Sequence, residues 1–550
     1  MNSRRISPIF RLFPSLTDIA FLAPVLLLFV GLDGVKTMLG DGDTGWHIRA
    51  GDWMLANGRV PETDMFSFTK SGEPWFAWEW LSDIILALLH QRFGLAGPVY
   101  LGILLLSFTS VLLFRLCRRH TNNDLIAIAV TTIAIGSSSV HWLARPHLFT
   151  FLLLAVSLHL LDRSFRNPRI LWVFPPLVVL WTNLHGAFLV SIILLLTVGV
   201  GVLLHAVFDP ENKGLRAAWN RSQTYFTVAA ACVAASLVNP YGWKLHVHIF
   251  RYLTERYHFE HINEFQTLSF HAPVAMYFEA LIVTGILAVG WSLAHRRFAD
   301  ALLLLSWLHM ALVAGRNIPI YAFVAAPVIT RFLSEGIAAL KAVPLVAWVG
   351  KAAAAVEGFG AEFTKIDRFP RLYPASGTAA ILLFVLMMGP PVDATKLRSE
   401  YDPKRYPAGA LAMLEGKRVF TSDEWGDYLI YKLYPKTKVF VDGRSDFYGA
   451  EFSLKYLDVM NGHWNWPALL SRYGVDAILL PVDAPMVATL KATAAWKPVY
   501  DDHVTILFFA SGARAKPFAG GKVSLPLVSE ATNLDPHSGS VLEMANLPNP

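Results

Sequence analysis

The chain has 550 residues, of which 54% are hydrophobic and only 16% charged, and its mean hydropathy is +0.43. A soluble domain carries about 25% charged residues, so this composition excludes an ordinary soluble protein, and the repeated apolar runs have the length that a hydrocarbon core of about 30 Å requires of a helix. The formal charge of +6 comes mostly from arginines in short loops, which gives no reason to expect a nucleic-acid partner. The two cysteines, Cys117 and Cys232, lie in or beside apolar runs and indicate neither a disulfide framework nor a thiolate metal site.

In chain order, Arg4, Arg5 and Arg11 precede an apolar run from Ile19 to Leu39. The run is too long for a signal-peptide core and no small-residue cleavage pattern follows, which predicts a retained first span with its N-terminus in the cytoplasm. Spans are predicted over 17–39, 96–114, 124–142, 147–162, 170–183, 187–206, 222–238, 274–294, 301–315, 317–333 and 376–391, about eleven in all. Several are short or carry proline, which spans buried within protein tolerate better than lipid-facing ones. With alternating direction, the inward gaps hold Arg115, Arg118 and Arg119; then Arg163, Arg166 and Arg169; then Lys213, Arg216 and Arg221; then Arg296 and Arg297. The first outward loop, from Gly40 to about Ala96, instead carries Asp41, Asp43, Asp52, Glu62, Asp64, Glu73, Glu79 and Asp83 against Arg49, Arg59, Lys70 and Arg92. This asymmetry of positive charge sets the orientation. Residues 334–375 mix apolar and basic side chains and leave room for an inward interfacial helix.

Hydrophobicity falls near Asp393 and the pattern begins to alternate. Strands are predicted at 418–421, 438–441, 475–480, 498–501 and 504–510, with helices at 424–433 and near 450–460, 466–473 and 485–493. The predicted fold class is therefore a polytopic α-helical membrane protein over 1–392 with a C-terminal soluble α/β domain over 393–512. The tail 513–550, rich in Pro, Ser and Asn, predicts poor order. No internal repeat is evident, which disfavours an inverted-repeat transporter.

The motifs able to carry chemistry fall in the outward gaps. Asp41-Gly42-Asp43 follows the first span; two carboxylates flanking a glycine can share a divalent cation such as Mg or Mn, or one can act as base while the other orients it. A helix-ending turn explains the same residues. His47 follows within one turn. Glu79, flanked by Trp78 and Trp80, sits where the tryptophans serve as interfacial anchors or as a stacking platform for a sugar ring. Arg145-Pro146-His147 and Arg316-Asn317 place arginines on the side where positive charge is disfavoured. Each arginine either pairs with an acid of the first loop, snorkels to lipid phosphate, or clamps a phosphate with its planar fork. Asn183-Leu184-His185-Gly186 adds an amide and an imidazole at another outward helix end. His246, His248, His258 and His261 share one outward loop, but no H-E-x-x-H motif supports a zinc site there.

These features together resemble the membrane glycosyltransferase C superfamily, the polyprenyl-phosphate-sugar-dependent enzymes. The resemblance rests on the first span ending in Asp41-Gly-Asp43, the long outward loop, the many spans and the C-terminal soluble domain. It is carried further by the runs D-G-D-T-G-W-H-I at 41–48, F-S-F-T at 66–69, E-W-L at 79–81, R-P-H at 145–147, N-L-H-G at 183–186 and N-P-Y-G at 239–242. The runs W-G-D-Y-L-I at 425–430 and V-F-V-D-G-R-S-D-F-Y at 439–448 point to a bacterial subfamily with a periplasmic C-terminal domain. The resemblance covers about residues 15–510 and implies a multi-pass enzyme of the bacterial inner membrane. Such an enzyme moves a sugar from a polyprenyl-phosphate donor to a glycan, lipid or protein acceptor, with inversion, on the extracytoplasmic face. It also implies a catalytic aspartate at Asp41 or Asp43, with Arg145 and Arg316 as candidate phosphate ligands. His47, Glu79, His147, Asn183 and His185 are further candidates for substrate binding. In the C-terminal domain, Asp442-Gly443-Arg444 closes a strand where α/β domains bind ligands, although an ion pair from Arg444 to Asp442 or Asp446 that fixes the turn accounts for it equally. A flippase of a lipid-linked saccharide and a noncatalytic envelope assembly protein are the alternatives from other classes.

Overall fold

The structure is a computed structural model in which residues 11–208, 214–341, 347–389 and 396–511 are described. Arg4, Arg5, Lys213, the boundary expected near Asp393 and the tail 513–550 lie outside the described residues. The chain is mostly helical, with one small sheet near its C-terminal end.

Among the described residues, five helical segments are long and apolar enough to cross a membrane: Ala96–Cys117, Asp124–His141, Gly186–Val207, Ala275–Ala294 and Gly315–Leu340. Leu16–Gly31, Phe298–Val313 and Pro374–Met388 are apolar but shorter. Five of the roughly eleven expected spans thus meet length and apolarity together, and the others are shorter, broken or more polar. The reasons are local. The first run breaks after Gly31, and Gly34–Leu39 is a separate 3-10 turn. Phe174–Leu184 has 11 residues, about 16 Å of helix. His147–Ser164 carries His159, Asp162 and Arg163. Such interrupted or polar-bearing helices are at home inside a bundle, where neighbours satisfy freed backbone groups.

The loop after the first helix folds into two helices, Asp43–Asn57 and Trp80–Phe93, which pack on each other. Between them, Thr63 and Pro74 form an antiparallel bridge, and Ser67 bridges Val439 of the C-terminal part in parallel.

In the C-terminal part, β1 (Val419–Phe420), β2 (Ala477–Pro481), β3 (Trp496–Asp501) and β4 (Thr505–Ala510) form a sheet of order β1-β2-β4-β3. β1 pairs with β2 in parallel, and β4 runs antiparallel to both β2 and β3. Val439 bridges β1 on one side and the first loop on the other, so residues 66–69 extend the sheet across to the helical part. A single apolar core runs from the bundle through Trp46 and Trp75 into Tyr401, Trp425, Tyr428 and Ala477.

Two devices fasten the parts together. Glycines at 42 and 45 face the helix Asp423–Leu433. A Cβ on Gly42 would lie 2.7 Å from Asp427 Cβ, and one on Gly45 would lie 2.6 Å from Tyr431 Cβ. Both glycines of D-G-D-T-G are therefore needed for close approach of a helix nearly four hundred residues away in sequence. The second device is Arg444. Its guanidinium bonds Asp442 through Nε and Nη2, each at 2.7 Å, and reaches Asp64 of the first loop at 2.7 Å. Trp75, Phe447 and Phe66 surround it with ring centroids at 4.5, 4.9 and 5.0 Å. Of the two acids considered for Arg444, Asp442 takes it, whereas Asp446 accepts from His248 at 2.8 Å.

Candidate active site

At the first glycine-flanked acid pair, Asp41 Oδ1 accepts from the Asp43 N–H at 3.2 Å, a local turn that sets Asp43 as the first residue of Asp43–Asn57. A carboxylate in a helix's first turn is favoured by the dipole and the free N–H groups there. Arg145 then clamps both acids: Nη1 lies 2.9 Å from Asp41 Oδ2 and Nη2 lies 2.6 Å from Asp43 Oδ2. The three side chains keep 25%, 14% and 20% of their surface for Asp41, Asp43 and Arg145. They are mostly buried and keep a small exposed fraction. Burial pushes the Asp41 carboxyl up to about 6 against the lowering pull of Arg145, with Asp43 adding to the rise. Burial raises Asp43 as well.

A third carboxyl, unsuspected from the sequence, completes this corner. Asp427 hydrogen-bonds Asp43 and accepts the Gly443 N–H at 2.9 Å. Burial and the neighbouring Asp43 and Asp442 hold Asp427 well above the usual carboxylate range, so it meets Asp43 as a protonated donor. A Cβ on Gly443 would run into Asp43 Oδ1 and Asp427 Oδ2. The signal was present in W-G-D-Y and D-G-R, but only tertiary packing brings them to the first loop.

Behind the acids stands a second chain of contacts. His185 Nδ1 accepts the Ala187 N–H at 3.2 Å and lies 2.9 Å from Thr150 Oγ1, which in turn accepts from Trp181 Nε1 at 2.8 Å. This places the His185 proton on Nε2, aimed at Glu79 Oε1 at 3.2 Å. Burial raises the Glu79 carboxyl to about 8. His47 lies 3.6 Å from the other Glu79 oxygen and 2.6 Å from Asp83 Oδ1, and it stacks on Trp46. Burial lowers His47 well below the ordinary imidazole range and raises Asp83, so the two form a neutral pair.

On the far side, Arg316 bonds the Tyr252 hydroxyl at 3.1 Å and Glu264 at 3.4 Å, and lies 4.5 Å from the Phe265 ring centroid. Glu264, also missed by sequence reasoning, reaches His141 at 3.6 Å through its other oxygen. Arg316 and Arg145 hold its carboxyl below the usual range despite burial. Arg145, Arg316, Asp43, Glu79 and Glu264 are near enough that their charges act on one another. The acids of the first loop and the arginines of later helix tips thus meet in one place.

Three of the expected residues are turned to structural partners instead. Asn183 accepts from Trp80 Nε1 at 2.7 Å and donates to the Val179 and Val238 carbonyls at 2.7 and 2.8 Å, which leaves its amide nothing to offer a ligand. His147 bonds the His141 carbonyl at 2.8 Å and is buried. His47, at 1% exposure, supports Glu79 from behind. The loop histidines diverge: His246 bonds Ser236, His248 bonds Asp446, and His258 and His261 bond backbone carbonyls.

No group of three or more His, Cys, Asp or Glu side chains among the described residues could hold a metal ion. The Asp41–Asp43 pair as arranged does not fit a divalent cation, because Arg145 occupies an oxygen of each acid and already supplies the positive charge.

No family model matches the chain, and no curated protein matches it. Among solved structures, the chain is similar to the Archaeoglobus fulgidus oligosaccharyltransferase tethered with an acceptor peptide containing the NVT sequon. The TM-score is 0.52 at 12% identity, over 92% of this chain and 74% of that one. The same archaeal enzyme, AglB, in complex with an inhibitory peptide and a dolichol-phosphate, gives a TM-score of 0.50 at 12% identity, over 91% and 74% of the two chains. ArnT from Cupriavidus metallidurans bound to undecaprenyl phosphate gives 0.42 at 13% identity, over 91% and 99%, too slight to establish a shared fold. The similarity is one of fold: the chain shares the fold of this archaeal oligosaccharyltransferase.

Proposed function

We propose that this protein is a membrane glycosyltransferase that moves a sugar from a polyprenyl-phosphate-linked donor to a hydroxyl-bearing acceptor. The observation that carries the reading is the Asp41–Arg145–Asp43 clamp, with Arg316 close enough that its charge and that of Arg145 both act on Glu264. The solved relative with dolichol-phosphate bound supports a lipid-phosphate donor at the level of fold.

In this reading Asp41 is the base. With its carboxyl at about 6 it is mostly ionised at neutral pH and can still take a proton. The acceptor hydroxyl gives its proton to Asp41 as its oxygen bonds to the anomeric carbon. The bond from that carbon to the phosphate oxygen breaks, and its electron pair leaves with the lipid phosphate, so the sugar inverts. Arg145 and Arg316 stabilise the charge that develops on the phosphate. Asp43, held by Arg145 and Asp427, orients the clamp, and Glu79 with His185 forms a neutral polar wall for the sugar. A divalent cation at Asp41 and Asp43 would have to displace Arg145, and no step is assigned to one.

The arginine-rich loops at the opposite end of the bundle support an orientation with the acidic site and the sheet on the extracytoplasmic side of a bacterial inner membrane. Residues 1–392 then form the membrane part and 393–512 the outer part, whose Asp427 completes the site.

The experiment is release of polyprenyl phosphate from labelled undecaprenyl-phosphate sugars by the purified protein in vesicles containing an envelope extract as acceptor source. Asp41→Asn is expected to abolish release while the protein stays folded in the membrane. Normal release by both Asp41→Asn and Asp43→Asn, or movement of the intact lipid-sugar across the vesicle without chemical change, would refute the assignment.

A further inference from the structure

At the end of the bundle opposite the acidic site lies a second, larger feature. The helix His147–Ser164 begins beside the site and ends at this feature, so its 18 residues set the two about 27 Å apart. Here a cavity of about 1440 Å³ opens between the ends of several helices, lined by ten arginines and two aspartates. Asp162 is engaged by Arg119 at 3.1 Å and His120 at 3.2 Å, and Asp300 by Arg331 at 2.8 Å. Arg297 turns to Glu335, and Arg118 and Arg368 turn to Asp124. The carboxylates are thus accounted for, yet Arg163, Arg166, Arg221 and Arg296 have no acidic partner among the described residues.

These four guanidiniums come from three different places in the chain. Arg163 lies in the last turn of one helix and Arg166 in the turn just after it, Arg221 lies in the first turns of Leu215–Ala235, and Arg296 lies in the turn before Phe298–Val313. Arg296 is held at φ 56, a left-handed conformation uncommon for a side chain of this size, with its carbonyl accepting from His205 Nδ1 at 3.0 Å. Apolar side chains also line the cavity, among them Phe165, Ile170, Val202 and Phe298. Unpaired arginines spread on an open face are ordinary membrane-surface charge. Arginines converging from separate elements on one hollow, together with apolar side chains, form a pocket for phosphate groups.

We infer that this cavity is a binding site for an anion carrying two phosphate groups, either the headgroup of a membrane lipid or a soluble diphosphate. It is distinct from the site of the proposed transfer and does not rest on that reading. The volume is well above what one phosphate needs, and guanidiniums on separate elements suit two phosphates held apart. The apolar lining side chains suit the first carbons of acyl chains.

The test is native mass spectrometry and titration of the full-length protein in detergent. The probes are cardiolipin as a two-phosphate lipid, phosphatidylglycerol as a one-phosphate lipid, and inorganic pyrophosphate as the soluble anion. One cardiolipin is expected to remain bound where phosphatidylglycerol is stripped. Each arginine removed from the cavity is expected to weaken binding roughly fivefold, and Arg163→Ala/Arg221→Ala/Arg296→Ala roughly a hundredfold. Arg221→Ala alone serves where the triple variant melts early. Displacement of cardiolipin by pyrophosphate at similar concentration assigns the site to a soluble diphosphate, and failure to displace it assigns the site to the lipid; both sustain the inference. Unchanged binding of both probes by the variants overturns it. So does an equal loss in Arg169→Ala, which lies at the same end of the bundle but outside the cavity, because the effect would then be general surface charge.

Discussion

Replacing Arg145 with Gln tests the centre of the site directly. Its two nitrogens contact Asp41 at 2.9 Å and Asp43 at 2.6 Å, and Glu79 and Glu264 stand nearby. Without the guanidinium, four acids share a buried region with only Arg316 to offset them. An adjacent arginine typically depresses an aspartate by 1–3 pH units, so Asp41 should rise from about 6 to roughly 7–9. Each unit is about 1.4 kcal/mol of lost preference for the charged form. At pH 7 the wild-type carboxyl is roughly nine-tenths ionised, and in the variant it is half protonated or more. The sign follows from the raised folded-state value. Stability from a neutral Asp41 is complete below about pH 4 and is lost as pH rises through the folded-state value, so the variant should keep it to higher pH. Infrared difference spectroscopy of the carboxyl stretch, with Asp41→Asn as the subtraction, reads this titration without any substrate. An Asp41 midpoint that stays within half a unit of wild type in Arg145→Gln would overturn the claim that this clamp sets its ionisation.

The other expectations follow from the neighbouring contacts. Glu79 titrates near 8 in the folded protein against an ordinary 4.5. The stability it contributes is therefore present below about pH 4.5 and lost as pH rises through 8, at most roughly 5 kcal/mol; Glu79→Gln should flatten the melting temperature over that range, and an unchanged slope would count against the assignment. Gly443→Ala forces a methyl group between Asp43 and Asp427 and should cost about 1–3 kcal/mol with loss of transfer, measured by denaturant melts and lipid-phosphate release. Arg444→Met leaves Asp64 and Asp442 buried without a counter-charge, a change that costs about 3–5 kcal/mol, and faster proteolytic release of the C-terminal part is the readout. Asn183→Ala should cost about 1–3 kcal/mol while transfer per folded molecule stays near wild type; a selective loss of transfer would show that Asn183 touches substrate.

How far the sequence discloses these features depends on the range of the interaction. Charge asymmetry and apolar runs are local sums, so the helical membrane character was legible from them. The alternation after residue 418 likewise announced the helices and four of the five expected strands, because period and turn residues act over a few positions; 438–441 makes only single bridges through Val439. The helix Asp43–Asn57 was not legible: its polar and small residues read as a turn, and it is held by packing against Trp80–Phe93 and Asp423–Leu433. Arg145 and the acid pair were recognisable as odd charges in outward gaps. Asp427 and Glu264 were not, since an acid in a soluble-looking segment or a surface-like loop has no distinguishing local pattern. Five of the expected spans meet length and apolarity together, and the rest are shorter or more polar helices. Hydropathy alone does not register where a buried helix can end early because its neighbours satisfy its backbone.

The glycines at 42, 45 and 443 have a consequence for biogenesis. They allow distant segments of the chain to touch at the acid pair, so nothing made before residue 443 contains the complete proposed site. A nascent protein threading into the bilayer stays inert until its final quarter has been delivered and docked. Shortened versions lacking that quarter would insert yet remain silent, however intact their helices.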